Sequence, residues 1–446
     1  MKAAERVHLY AAMLGIFLQP LSTATGNIGF VIAAVGSIPA LLGNPHAFGK
    51  CWDSRWFRWL IAWLAFSFLS LLWSSDPRFG VDQYRACRVL LWIPVLLPLR
   101  QHWMWLVTTL LTGTAVIQCI QALQMSPLQW PPSPKFGLGT AFTTPTQTGL
   151  WNAVALCFLL LFAVMGGWLQ TVMFLPLSVL AATGLVWCAT RASVIGVAVE
   201  LVAATAILAL TSKGWLKRAL VRCVVGLVIL GGVWLVAGSR LQERFERAVQ
   251  QTKQTIDSGG STTAEDRLAM WRMTLEGWQQ HPIFGVGIGG IQKSISAHST
   301  AVWNGIPLKD VTMIHSTYLQ VLAETGLVGA ALFAGFVLLF FRDGLRRVRE
   351  EPIRIAALGA CIVWFVAAAF DGFQQSGGFL TIGSICMALA TMPLVAPQET
   401  ALSAAQPPNK QTAEVPSTER TRTSTECPRV QRQGSAARTA SSPSRL

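Results

Sequence analysis

A few residues of this 446-residue chain combine chemical capacity with an awkward location. His315 stands in Met-Ile-His-Ser-Thr-Tyr-Leu, where a polar segment meets an apolar run. Imidazole is the side chain best poised for proton transfer near neutral pH, so His315 is a candidate general base; the bland alternative is a structural histidine. Arg191, in Cys-Ala-Thr-Arg-Ala-Ser, occupies a turn between two apolar runs that is too short to carry its side chain far into water. A cation held there needs an anionic partner. A phosphate suits the planar guanidinium fork; Asp76 or Asp82 in space, or snorkelling to the interface, are the competing readings. Arg78, Arg85, Arg88 and Arg267 are further cations on the same side of the chain's apolar runs. Glu200 and Asp371 are carboxylates within or at the end of such runs, where ion pathways and buried hydrogen-bonded packing are equally fitting roles. His281, followed by Pro282, reads as a turn residue, and His298 competes with His315. Gly285-Val-Gly-Ile-Gly-Gly290 matches a dinucleotide fingerprint, but no βαβ domain surrounds it. These glycines read instead as a tight turn with close backbone approach.

The elements that must position these residues are membrane helices. The chain is 52% apolar and only 13% charged, against about 25% charged in soluble domains. Continuous apolar runs of spanning length recur, which favours helices over a barrel. Spans are expected near 8–22, 27–43, 57–73, 88–100, 103–123, 148–168, 172–190, 193–212, 219–237, 318–341, 355–373 and 378–395, the fourth being short. The expected fold class is therefore all-α, a polytopic membrane protein of about 12 transmembrane helices with one long periplasmic loop. Its parts are helices 1–9 in 1–237, the loop in 238–317, helices 10–12 in 318–396 and a disordered basic tail in 397–446. Basic clusters at Lys50–Arg58, Lys213–Arg222 and Arg342–Arg354 fall on one side with both termini, which the positive-inside rule makes cytoplasmic. The net charge of +14 follows from those loops and the tail, and no nucleic-acid motif is present. Nine cysteines form no metal-type or disulfide pattern. Within the long loop, 264–280 reads as an amphipathic helix with Leu268, Trp271, Leu275 and Trp278 on one stripe, able to lie on a bilayer surface.

Several segments together resemble the O-antigen ligase and O-antigen polymerase superfamily. His315-Ser-Thr-Tyr-Leu-Gln-Val-Leu-Ala-Glu-Thr-Gly-Leu-Val-Gly329 is similar to its His-Asn-x-x-Leu-x-x-Leu-x-Glu-x-Gly-x-x-Gly signature, with Ser316 in place of Asn. Arg267-Leu-Ala-Met-Trp271, His281-Pro-Ile-Phe-Gly-Val-Gly287, Thr190-Arg-Ala-Ser193 and Trp73-Ser-Ser-Asp-Pro77 resemble further elements in the same order. The resemblance implies a GT-C-like glycosyltransferase of the bacterial inner membrane that acts on its periplasmic side. The donor would be an undecaprenyl-pyrophosphate-linked glycan and the acceptor a lipid A-core, with membrane lipid around both. It implies that Arg191 and Arg267 grip the pyrophosphate, with Arg85 and Arg88 contributing to the anionic cavity, and that His315 serves the acceptor hydroxyl as base. No acidic metal motif faces that side, so transfer is expected to be metal-independent and inverting, with no cofactor. O-antigen polymerase is the nearest alternative. A lipid-linked-glycan transporter is the alternative of a different class, against which no inverted repeat is visible.

Overall fold

The computed structural model describes residues 2–125, 144–165, 168–188, 190–211, scattered positions of 217–235, 263–293, 302–303, 306–307, 314–350, 354–372 and 377–392. The chain divides into Met1–Val395 and Ala396–Leu446, and the second part, with the expected tail, lies outside the described residues. The structure is an all-α polytopic bundle, and its only described strands are a two-residue ladder, Val302–Trp303 against Ile306–Pro307. Seven described helices are long and apolar enough to cross a membrane.

The bundle opens with α1 (Ala3–Leu18) and α2 (Thr23–Gly43). Ser22 caps α2 by accepting the Thr25 N–H at 3.0 Å. The two helices touch backbone to backbone, because a Cβ on Gly15 would lie 2.5 Å from the Gly29 carbonyl oxygen. Small residues permit such contact where lipid offers no hydrophobic drive between helices. Next come α3 (Arg55–Leu69), α4 (Pro77–Ala86), α5 (Trp92–Leu96) and α6 (Trp103–Met125). The expected fourth span, 88–100, is not one regular helix. It is assembled from 3-10 turns on either side of α5, with non-helical geometry at Leu99. It still crosses the bundle: Arg88 meets Asn27 at the start of α2, whereas His102 meets Glu5 near the start of α1.

Helix α7 (Pro145–Met165) is central, with 94% of its spanning window buried. Around it lie α8 (Trp168–Trp187), α9 (Arg191–Thr211), α12 (Ile355–Ala368) and α13 (Gly377–Thr391). The last two are apolar but shorter than the rest. Between α9 and α12 the chain contributes α10 (Thr263–Gln280) and α11 (Thr317–Glu350). The ninth expected span, 219–237, lies largely outside the described residues. An aromatic core made by Trp56, Phe336, Phe340 and Phe365 locks α3, α11 and α12 together.

Helix α11 is broken. Gly326 adopts φ 63°, ψ −165°, a region that is essentially glycine-only. The segment 282–287 fills the break. Val286 and Gly287 N–H donate to the Ala323 and Glu324 carbonyls, and Leu327 and Val328 N–H donate to the Pro282 and Ile283 carbonyls, at 2.9–3.1 Å. A non-helical backbone is tolerated at such depth only where protein satisfies its polar groups. Gly285, Gly287 and Gly289 all have positive φ and press against the backbones of residues 323–324, 70–74 and 76–80. The glycine-rich run is thus a close-packed turn, held further by the Gly289 N–H donating to the Glu324 carboxylate at 3.0 Å.

The face that α10 turns inward shares Trp271 and Trp278 with the expected stripe but not Leu268 and Leu275. Met270 and Thr274 are buried, whereas Leu268 is 60% exposed and Leu275 also faces outward. The reason is two tryptophan anchors. Trp271 Nε1 donates to the Ile314 carbonyl at 3.0 Å and Trp278 Nε1 to the Pro282 carbonyl at 3.2 Å, which rotates the helix so that Arg267, Trp271, Thr274 and Trp278 share the docked side.

Candidate functional site

His315 sits where the broken half of α11 begins. It is the one described non-glycine residue with positive φ, at 54°. Such geometry costs about 1–3 kcal/mol and persists only where the surroundings enforce it. Here they do. Ile314 is held by Trp271, and Ser316 caps α11 with its hydroxyl accepting the Leu319 N–H at 3.4 Å. Serine and asparagine are interchangeable in that capping role, which accounts for Ser316 where the family signature carries Asn. Thr317 donates through both its N–H and its hydroxyl to the Asp371 carbonyl, at 3.0 and 2.8 Å. The Asp371 carboxylate, itself accepting the Gly372 N–H, lies 3.6 Å from His315 Nδ1. Both side chains are mostly buried, at 16% and 17% exposed.

Asp371 is the residue whose role sequence reading missed. Its location at the end of an apolar run was visible, but 56 positions separate it from His315 (371 against 315) and no spacing rule connects them. In the structure its carboxylate faces one imidazole nitrogen, Nδ1.

Arg267 lies one helical turn before Trp271, on the docked side of α10, so the anchor that fixes Ile314 also brings Arg267 toward His315. Its Nε is shut off from solvent and has no hydrogen-bond partner among the described residues. An unsatisfied buried guanidinium nitrogen is costly.

Arg191 is the first residue of α9 and its side chain is exposed. The helix runs antiparallel to α12: a Cβ on Gly196 would meet Val363 at 3.0 Å and one on Gly359 would meet Glu200 at 2.4 Å. That register carries Thr190 and Arg191 to the level of residues 368–371, the level of Asp371. Asp76 and Asp82 are not its partners. Asp76 caps α4 by accepting the Phe79 N–H, and Asp82 pairs with Arg85 at 2.8 Å. The Arg85–Asp82 pair is solvent-exposed, a setting in which ion pairs contribute little. Arg88 reaches the Asn27 side chain at 3.4 Å. Asn27 lines a small polar cleft with Gln19, Gln147, Trp151, Gly378 and Thr381. Arg267, Arg191 and Arg88 therefore lie toward the His315 end of the bundle, and Arg85 pairs with Asp82 at the surface.

The helix directions at this end share one sign. The N-termini of α7, α9, α11 and α13 all open here: Gly149 of α7 abuts Thr190, Gln147 abuts Gly378 of α13, and Thr317 of α11 is tied to Asp371. Each N-terminus carries roughly half a positive charge in unpaired N–H groups. Helix ends of one sign favour anions at this end of the bundle. Glu200 is fully buried between α9 and α12, about two turns from Arg191. His281 is exposed in a turn closed by the Gly285 N–H donating to its carbonyl. His298 lies outside the described residues.

No curated protein matched the chain. A family model did, over 176–334, the stretch that contains Arg191, Arg267 and His315 and ends short of Asp371. Its description is O-antigen ligase, and over that stretch the chain is similar to the O-antigen ligase family.

Proposed function

We propose that the chain is an O-antigen ligase of the bacterial inner membrane, transferring a glycan from undecaprenyl pyrophosphate to a lipid A-core acceptor on the periplasmic side. The observation that carries this reading is His315 paired with Asp371 at the end of the bundle where Arg191, Arg267 and four helix N-termini lie. A match to a family model described as O-antigen ligase over 176–334, which contains Arg191, Arg267 and His315, supports it.

In the proposed reaction the Asp371 carboxylate, 3.6 Å from His315 Nδ1, orients the imidazole, and His315 is the base. It takes the proton of an acceptor sugar hydroxyl as that oxygen attacks the anomeric carbon. The bond from the anomeric carbon to the pyrophosphate oxygen breaks, and the lipid pyrophosphate leaves from the opposite face, so the configuration inverts. Charge on the departing pyrophosphate grows in the transition state. Arg191 and Arg267 stabilise it there, together with the helix ends. Arg88 lies at the rim, facing a phosphate-rich acceptor.

The test is transfer by the purified full-length protein supplied with defined undecaprenyl-pyrophosphate glycan and lipid A-core, with and without chelator. Glycan appearing on the lipid A-core supports the ligase. Chain growth on undecaprenyl pyrophosphate alone makes it a polymerase. Glycan movement across vesicles that survives His315→Ala, with no transfer under any condition, overturns both in favour of a transporter.

A further inference from the structure

The first turn of α9 contains polar groups that no described residue uses. Thr190 is the N-cap of that helix, since its carbonyl accepts the first intrahelical bond from the Val194 N–H at 3.2 Å. An N-cap threonine normally turns its hydroxyl onto a first-turn N–H. Thr144 does so for α7, accepting the Gln147 N–H at 3.3 Å, and Ser316 does so for α11. Thr190 does not: its Oγ1 is buried and has no partner among the described residues, and the residue is only 8% exposed. Ser193 Oγ, three residues on and 1% exposed, is likewise without a partner. Two buried hydroxyls left unsatisfied at one helix end are a cost that a ligand would remove. The first N–H groups of the turn have no intrahelical acceptor either.

The turn is also held rigidly. A chain of side-chain amides backs it: Gln118 Nε2 donates to Asn152 Oδ1, Asn152 Nδ2 to Gln121 Oε1, and Gln121 Nε2 to Cys188 Sγ, each at 3.1 Å. Thr190 itself is wedged against Gly149, where a Cβ would come within 2.1 Å of Oγ1. A fixed array of two hydroxyls, free N–H groups and the Arg191 guanidinium offers donors without rearrangement, which is what a doubly charged oxyanion requires.

We infer that the α9 N-terminus is the seat of the donor's pyrophosphate, held by the Thr190 and Ser193 hydroxyls and the first-turn N–H groups, with Arg191 closing over it. The inference rests on the glycosyl-transfer reading for the source of the pyrophosphate, but the anion site has its own readout. Binding of inorganic pyrophosphate and of a short prenyl diphosphate to the detergent-purified full chain is measured for wild type, Thr190→Val, Thr190→Ser and Ser193→Ala. Thermal unfolding without ligand is measured alongside. A hydrogen bond to a charged group governs roughly a 10- to 100-fold change in affinity. Thr190→Val and Ser193→Ala should each weaken both ligands by about that factor, and Thr190→Ser should retain binding. Unliganded stability should not fall, because the removed hydroxyls have no bond to lose among the described residues.

Wild type that binds neither ligand overturns the inference. So does Thr190→Val that binds as wild type does, or that loses unliganded stability which Ser restores, since the hydroxyl would then be a structural cap. Weakening confined to inorganic pyrophosphate removes the donor assignment. If wild type transfers no glycan while the binding losses appear as expected, the anion site stands and the transferase reading fails. If transfer proceeds and the variants leave kcat/KM and binding unchanged, the reverse holds.

Discussion

Replacing Gly326 by alanine should cost the protein most of its stability. The residue has φ 63° and ψ −165°, where a side chain costs about 1–3 kcal/mol. The added Cβ would stand 2.3 Å from the Ile283 carbonyl oxygen and 2.5 Å from the Gly285 nitrogen, both backbone atoms that no rotamer change can move. Segment 282–287 must therefore retreat, and with it go the four backbone hydrogen bonds that fill the break in α11. At a net value of about 1 kcal/mol each, and with little water to replace them, the total loss is about 5–7 kcal/mol. That approaches the whole stability of a typical domain, about 5–15 kcal/mol. The assay is denaturant or thermal unfolding of the purified protein in detergent. Gly377→Ala is the control, since a Cβ there meets nothing within 4 Å. Gly326→Ala unfolding within about 1 kcal/mol of wild type would refute the reasoning, because segment 282–287 could then not be what completes the broken helix.

Other outcomes follow from the site and its surroundings. His315→Ala should lower kcat for glycan transfer by about 10²–10⁴-fold while leaving donor KM nearly unchanged, the signature of a lost base rather than lost binding. Asp371→Asn should lower kcat less than His315→Ala does, and combining the two should add little to His315→Ala alone, because the carboxylate acts through the imidazole 3.6 Å away. Arg267→Ala should lower kcat/KM for the donor by roughly 10- to 100-fold, and Arg267→Lys should recover only part of this, since an ammonium lacks the planar fork. Burial pushes the Cys51 thiol up to about 11. Only the thiolate reacts, so alkylation of Cys51 should be slow at pH 8, roughly 100-fold below an ordinary thiol, and should rise about tenfold per pH unit until pH 11.

The spans were legible because spanning demands length and continuous apolarity, and both are local properties of sequence. Helix α7 and helix α9 fall where their apolar runs fall. The crossing at 88–100 was legible as an apolar run but not as a chain of 3-10 turns, which rise further per residue than an α-helix and so let a short run cross. The docked face of α10 was misjudged in part. Leu268 and Leu275 looked like an inward stripe, yet indole hydrogen bonds to the carbonyls of Ile314 and Pro282 decide the rotation. Arg191, Arg267 and His315 could be picked out as polar residues in apolar surroundings. Asp371 could be noticed but not paired, and the idle hydroxyls of Thr190 and Ser193 could not be noticed at all, since a serine or threonine beside a helix start reads as a cap until its hydroxyl is seen to cap nothing.

The break at Gly326 also explains how two separate pieces of the fold meet at the candidate site. Segment 281–290 ties α10 to the broken half of α11, so Arg267 and His315 are carried by one piece built from α10, the glycine turn and the start of α11. Arg191 is carried by another, made of α9 with α7 and α12 behind it. Asp371, at the end of α12, is the point where the second piece grips the first, through Thr317 and His315. An unbroken α11 would continue straight from its spanning part and would have no hydrogen-bonding gap for segment 282–287, so nothing would fix α10 over His315. The glycine at 326 and the glycines at 285, 287 and 289 are thus one device seen from two sides: the first opens the helix, and the others let a second strand of backbone lie close enough to close it.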